Sequence, residues 1–232
     1  RLYLFYLRAR RARRIIRATK KIKCLVTAGP PREHFDPVRF ISNPSTGKMG
    51  WNIALAAAEA GWDTSLVLGP SQLGDPCGVS VSRVVSALDM LRECERLFDS
   101  CDILIMSAAV SDVRPVATLD RKAPKSRIDL SPRLERTPDI LKTLSKRKGG
   151  RILVGFAAQT HNVAEYARKK LEEKDLDCIA ANSVASDEYG FASDRNKIEL
   201  IMRSGETVDF APDGKYPLAK KLVEFLGERF FG

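Results

Sequence analysis

The sequence lacks most of what marks a secreted, metal-built or membrane-spanning protein. Its five cysteines, Cys24, Cys77, Cys94, Cys101 and Cys178, form no CxxC pair, and its two histidines, His34 and His161, have no carboxylate or cysteine in ligand spacing. Both facts argue against a disulfide framework and against structural zinc, and make a reducing cytoplasm the expected compartment. No stretch approaches the roughly 20 consecutive apolar residues that cross a bilayer. The longest runs, such as 103–105 and 178–181, are strand-sized, so no membrane span is expected. Acidic residues are missing altogether from 1–23, a segment that holds ten of the 39 lysines and arginines. The other 29 basic residues balance 29 acidic ones, so the net charge of +10 belongs to this segment and the body is neutral. A nucleic-acid partner is not expected for the body.

What is present fits one large domain. The chain has 232 residues, of which 44% are hydrophobic, an ordinary proportion for a packed core. Residues 1–21 read as a basic extension or linker. An apolar patch, Leu2 to Leu7, is followed by Arg8, Arg10, Arg11, Arg13, Arg14, Arg17, Lys20 and Lys21. Such a composition suits a nucleic-acid arm, an anionic-membrane anchor or a transit segment, but a solvated appendage or the remnant of an upstream domain is the plainer reading. From residue 22 onward, β-branched runs alternate with helical periodicity. The spacing predicts strands over 23–28, 64–68, 79–85, 103–108, 152–156 and 177–181, and helices over 50–60, 87–98, 138–146, 162–174 and 217–231. That alternation implies an α/β fold, a doubly wound, mostly parallel Rossmann-like sheet. A hairpin of 197–203 and 207–210, around Ser204-Gly205-Glu206, adds antiparallel strands at the end. Gly61 is placed as a helix-ending glycine, and Ser86 and Thr137 as N-caps. Residues 113–136, Pro-containing and weakly periodic apart from an alternating stretch at 127–130, read as a functional lid.

The first strand runs into Gly29-Pro30-Pro31-Arg32 instead of the G-x-G-x-x-G of a dinucleotide site, and prolines remove the backbone donors that would wrap a pyrophosphate. Asn43-Pro44-Ser45-Thr46-Gly47-Lys48-Met49-Gly50 is not a P-loop either. Ser42 stands in place of its first glycine and Met49 in place of the magnesium-binding hydroxyl. What remains is a Ser/Thr/Gly/Lys loop opening a helix, a place that favours an anion. After the fourth strand, Ser107-Ala108-Ala109-Val110-Ser111-Asp112 offers small residues that let a ligand approach the backbone, with Asp112 as an acceptor. Lys122 and Lys125 lie on the lid, where ammonium groups could close over phosphates.

Taken in order, these segments resemble the phosphopantothenoylcysteine synthetase family, the ligase of coenzyme A biosynthesis that many bacteria fuse behind a flavin-dependent decarboxylase. Asp36-Pro37-Val38-Arg39-Phe40-Ile41-Ser42-Asn43 with Ser45-Thr46-Gly47-Lys48-Met49-Gly50 carries the most specific part of the likeness. Ala108 to Pro115, Thr137-Pro138-Asp139-Ile140-Leu141 and Val154-Gly155-Phe156-Ala157-Ala158-Gln159-Thr160 follow at matching intervals. The resemblance implies that 4′-phosphopantothenate attacks CTP to give an acyl-cytidylate, from which cysteine displaces CMP. It implies a nucleotide contact for Met106, Ser107, Ala108 and Asp112, with Pro138, Asp139, Ile140, Leu141 and Phe156 completing the pocket. Lys122, Lys170 and Lys174 would meet the phosphates, the last two from one predicted helix face. Asn43 and Lys122 would be catalytic, with Asn43 on the acyl carbonyl. Ser45, Thr46, Gly47 and Lys48 would take the substrate's terminal phosphate. Magnesium would accompany CTP through ligands the sequence does not specify, no flavin is expected in this chain, and a homodimer and a phosphopantothenoylcysteine decarboxylase are the expected partners.

The chain departs from the family at Pro30-Pro31, where Gly-Thr is usual, and at Pro124 within the basic lid motif. Gln159 stands for a frequent Glu and Ser183 for a common Asp. Two other classes stay open on sequence: an NAD(P)-dependent oxidoreductase, which would share the sheet but lacks the glycine fingerprint, and a nucleic-acid-binding protein acting through residues 1–21.

Overall fold

The computed structural model describes residues 21–129, 131–159, 163–183 and 193–232. Its centre is an eight-stranded sheet in the order β12-β11-β10-β9-β6-β1-β4-β5. In chain order the strands are β1 (Lys23–Ala28), β4 (Asp63–Leu68), β5 (Val79–Arg83), β6 (Ile103–Met106), β9 (Ile152–Gln159), β10 (Cys178–Ser183), β11 (Arg195–Met202) and β12 (Thr207–Gly214). The first six pair in parallel, while β11 and β12 run antiparallel beyond β10. The chain winds outward from β1 to β4 and β5, then returns to β6 on the other side and continues to β9 and β10. This reversal between β1 and β6 opens a crevice at their carboxyl ends, where open α/β sheets bind ligands.

Period-two alternation sorts the strand residues onto two faces. Cys24, Val26, Ala28, Ile103 and Ile105 pack beneath α1 (Lys48–Glu59) and α5 (Lys215–Phe231). Leu25, Leu104, Met106 and Leu153 pack beneath α2 (Ala87–Phe98), α3 (Ile140–Ser145) and α4 (Val163–Glu173). Two apolar layers therefore enclose the sheet, as near-continuous hydrophobic strands require. Ser86 caps α2 with a full capping box, its hydroxyl taking the Asp89 N–H while the Asp89 carboxylate takes the Ser86 N–H. Gly61, at φ 85°, follows α1 in the left-handed region.

Several boundaries differ from the sequence reading. Helix α1 starts at Lys48 and not at 50, because Gly47 at φ 78° provides the turn into it. Helix α3 is capped by Asp139, whose carboxylate accepts from Lys142 N at 3.0 Å. Thr137, the expected cap, lies two residues outside, with its hydroxyl buried and unpartnered. The 127–130 stretch forms no strand over the described residues: Lys125–Arg127 is a 3-10 turn, and Leu130 lies outside them. Two small antiparallel pairs were invisible in the periodicity, β2 (Glu33–His34) with β3 (Phe40–Ile41), and β7 (Val113–Pro115) with β8 (Leu134–Arg136). The second pair anchors both ends of the proposed lid. Residues 1–20, and with them nearly all of the basic extension, lie outside the described residues.

Candidate active site

The crevice is built by close backbone approach. Gly29 ends β1 at φ 80°, and a Cβ there would come within 2.9 Å of Gly69 O. A Cβ on Gly47 would sit 3.0 Å from Gly29 Cα, and one on Gly50 would meet Ala28 Cβ at 2.6 Å and Thr27 O at 2.8 Å. These glycines let the start of α1 settle directly onto the end of β1. The buried Thr27 hydroxyl donates to Met106 Sδ at 3.1 Å and accepts from Ala108 N at 3.2 Å, while Ala109 N reaches Gly29 O at 3.1 Å. The loop after β6 is thereby stitched to the loop after β1.

Asn43 closes this frame. Its Nδ2 donates to Ala109 O at 3.2 Å and Val110 O at 3.0 Å, which fixes the amide and leaves Oδ1 as the atom able to face a ligand. Ahead of it, Asp36 is fully buried in a turn, receiving Val38 N and Arg39 N at 2.9 Å each and the Arg39 guanidinium. The guanidinium beside it, with those two N–H groups, holds its carboxyl well below the usual carboxylate range. This turn and the Ser42 Oγ bond to Pro31 O at 2.8 Å brace the approach to Asn43.

The resulting cleft, about 210 Å³, is lined by Asn43, Ser45 to Gly50, Ser107 to Val110, Phe156 and Ala157. Lys170, Asn196 and Lys215 complete its wall. Lys170 is half-buried; burial pushes its ammonium pKa down, nearby Lys174 adds to that, and Asp112 and Asp139 oppose it. Lys174, one residue past the end of α4, pairs with Asp139 at 2.9 Å. Thr137 N donates to Asp112 O at 3.0 Å. The structure thus groups Asp112, Asp139 and Lys174 around Lys170, residues up to 62 positions apart, and of the four Lys170 is the one that lines the cleft.

Other residues singled out from sequence sit differently. Met106, Ile140 and Leu141 are buried in the core and do not line the cleft. Pro138 precedes α3, also outside the lining. Lys122 is exposed on the connection between β7 and β8 and does not reach the cleft wall. Lys48 lines the cleft but is engaged by Asp194 at 2.5 Å. Asn196 and Lys215 were missed, because single polar residues in a hairpin and at the start of a helix carry no motif. Among the described residues no group of three His, Cys, Asp or Glu side chains is arranged to hold a metal, and no helix is long and apolar enough to cross a membrane. All five cysteines are free.

Residues 19–229 match the DNA/pantothenate metabolism flavoprotein C-terminal domain family. The chain belongs to that family. It is 44% identical over 182 residues to the coenzyme A biosynthesis bifunctional protein CoaBC of Bacillus subtilis, covering 78% of this chain and 45% of the relative. With the Escherichia coli protein of the same name it shares 40% identity over 213 residues, covering 90% of this chain and 50% of the relative. The chain spans about half the length of these relatives. A crystal structure of the C-terminal domain of CoaBC superposes with a TM-score of 0.77 at 38% identity, covering 90% of this chain and 95% of that one. Family membership and a mostly parallel sheet with a terminal antiparallel pair, both expected from the sequence, therefore stand.

Proposed function

We propose that this chain is a phosphopantothenate–cysteine ligase that uses CTP. The observation that carries the reading is the clamped Asn43, set beside small-residue backbone and three cleft-lining lysines at the switch point of a sheet of this family. A carboxylate is a poor acyl donor because its leaving group would be oxide. Attack of the 4′-phosphopantothenate carboxylate oxygen on the α-phosphorus of CTP forms a mixed anhydride and releases pyrophosphate. The cysteine amine then adds to the acyl carbon, loses a proton, and expels CMP.

The chain's own groups serve these steps by position and charge. Asn43, with Nδ2 already committed, presents Oδ1 to the pantothenoyl portion and orients the acyl group. Lys170 and Lys174 offset charge that grows on the departing pyrophosphate. Ser107 to Ala109 give backbone approach to the nucleotide, and Phe156 supplies an apolar wall. Lys122 reaches the phosphates only if the connection between β7 and β8 closes over the cleft. Magnesium would arrive with the triphosphate, whose oxygens and waters supply most of its six ligands. Asp112 and Asp139 are the carboxylates on this side that could add one or two more, and the ion would neutralise phosphate charge when bound.

A homodimer is part of this reading. A groove of about 540 Å³ between the two small sheets is lined by Phe35, Phe40, Val116, Leu119 and Ile128, and its surroundings expose Val38 and Leu134. Contiguous apolar surface of this kind fits a second copy of the chain. The decarboxylase, covalently attached or separate, is the proposed source of the next reaction, and the cytoplasm is the proposed compartment.

The deciding measurement is pyrophosphate release with CTP, 4′-phosphopantothenate and cysteine. Release that requires CTP and 4′-phosphopantothenate, with product formation requiring cysteine, is expected. Absence of turnover in folded protein overturns the reading, and equal specificity constants for ATP and CTP overturn the choice of nucleotide.

A further inference from the structure

Two features, one in the antiparallel pair and one at the start of the last helix, remain unused by the ligase reading. Asn196, in β11, is only 1% exposed yet lines the cleft. Its Oδ1 accepts from Lys197 N at 3.0 Å, while its Nδ2 donates to no described residue. An amide donor on a cleft wall with no partner among the described residues is open to an acceptor on a ligand. The position is set by a break in register between Asn196 and Ile198, the kind of bulge that re-aims a side chain.

Lys215 is the second feature. It is 6% exposed, lines the same cleft, and begins α5 just as Lys48 begins α1. Both helices are capped by glycine without a side-chain hydrogen bond, and neither has an acidic residue in its first turn. A lysine at a helix N-terminus opposes the helix dipole, so both positions go against local electrostatics. Such breaches of a local rule concentrate where function requires them. Burial depresses the Lys215 pKa, with Asp194 opposing and Lys48 reinforcing that shift, which places the three groups within one electrostatic neighbourhood.

We propose that Asn196 and Lys215, with Lys48, bind a phosphate group of a substrate, and that the Asp194 carboxylate is the resident counter-ion this phosphate displaces. Asp194 is 79% exposed at its side chain and paired with the cleft-lining Lys48, so the bond it gives up is a weakly held surface pair. A phosphate offers more charge and three acceptor oxygens, enough for both ammonium groups and the Asn196 amide. The chemistry is shared by the terminal phosphate of 4′-phosphopantothenate and the polyphosphate of the nucleotide. The inference rests on the ligase reading for the identity of these ligands.

The test is calorimetric titration of the full chain with CTP, CMP, 4′-phosphopantothenate, pantothenate and inorganic pyrophosphate. Lys215→Met is expected to weaken a phosphate-bearing ligand at least tenfold and to leave its less phosphorylated counterpart within twofold, with Lys215→Arg restoring most of the affinity. Loss for 4′-phosphopantothenate but not pantothenate assigns the terminal phosphate, and loss for CTP but not CMP assigns the polyphosphate. Asn196→Ala should show the same selectivity with a smaller loss. Asp194→Asn should tighten the affected ligand two- to fivefold, a gain that a folding defect does not produce. Equal weakening of phosphorylated and unphosphorylated ligands, unchanged binding in Lys215→Met, or no gain in Asp194→Asn overturns the proposal. Pyrophosphate binding that Lys215→Met abolishes, in a protein that binds neither substrate, would keep the anion site and sink the ligase reading.

Discussion

The two edges of the sheet solve opposite problems. At the amino edge, charges are consumed in holding elements together. Lys148, at 13% side-chain exposure, pairs with Asp177 at 3.0 Å and donates to Asp175 O at 2.9 Å. The other Asp177 oxygen accepts from Leu153 N at 2.7 Å, tying β9 to the start of β10. Arg151 donates to Phe98 O and Asp99 O, and Asp102 accepts from Lys23 N. At the carboxyl edge, Lys48, Lys170, Lys215 and Asn196 converge on one cleft, and Lys48 and Lys215 share the neighbourhood of a single exposed carboxylate. Charge at the first edge is structural, whereas charge at the second gathers on a cleft wall, where we propose that it meets a ligand.

The contrast is sharpest at Asn43. Asn43→Ala removes the positioned amide from the carboxyl edge. Ligation should fall by about 10²–10³, equivalent to roughly 2.7–4 kcal/mol in the barrier. Unfolding free energy should drop by no more than about 1.5 kcal/mol for the lost bonds. Rapid-quench assay should show acyl-cytidylate persisting; loss of both half-reactions alike would assign Asn43 to general substrate binding.

Asp177→Ala should do the reverse. It removes the closer carboxylate partner of the mostly buried Lys148, which keeps its bond to Asp175 O, and frees Leu153 N, a cost of about 2–3 kcal/mol in denaturant unfolding. KM for each substrate should stay within twofold in the folded fraction. A large KM change would mean the edges are coupled and the division drawn above is false.

The same edges explain what could be read from sequence. The strands and α2 were legible because burial on both faces demands continuous apolar runs and Ser86 with Asp89 is a local capping signal. The loop at 43–50 was legible as an anion-favouring helix start. Lys48 engaged by Asp194, 146 residues away, was not, since no local pattern announces a pairing made by tertiary folding. Asp139, Lys170 and Lys174 were named by resemblance and Asp112 also from the loop after β6, and only the crossovers bring them to one place. Asn196 depended on a strand bulge, which shifts the facing side chains without changing the alternation expected of the sequence.

A smaller effect tests the capping signal itself. Ser86→Ala should lower stability by about 1 kcal/mol, measurable as a shift in denaturant midpoint at constant slope, without altering turnover. A change in turnover would place α2 in the machinery of the cleft.

The smallest effect concerns residues 1–21. Removing residues 1–21 should leave ligation within about threefold, under roughly 0.7 kcal/mol in the barrier, and abolish retention on heparin at low salt. Loss of ligation from a folded, truncated chain would bring the basic segment into the site.

The antiparallel pair also sets a timetable. β11 and β12 are neighbours in sequence, joined through Gly205 at φ 88°, and such hairpins close in about 1–10 μs. The floor of the cleft needs β1 beside β6, contacts such as Thr27 to Met106 that span 79 residues and form late because long loops must close first. Asn196 therefore sits on a local element, whereas Lys215 opens a helix that packs against the central sheet. A phosphate that requires both parts can bind only once the slowest strand pairing is complete, so its binding during refolding would time the closing of the central sheet.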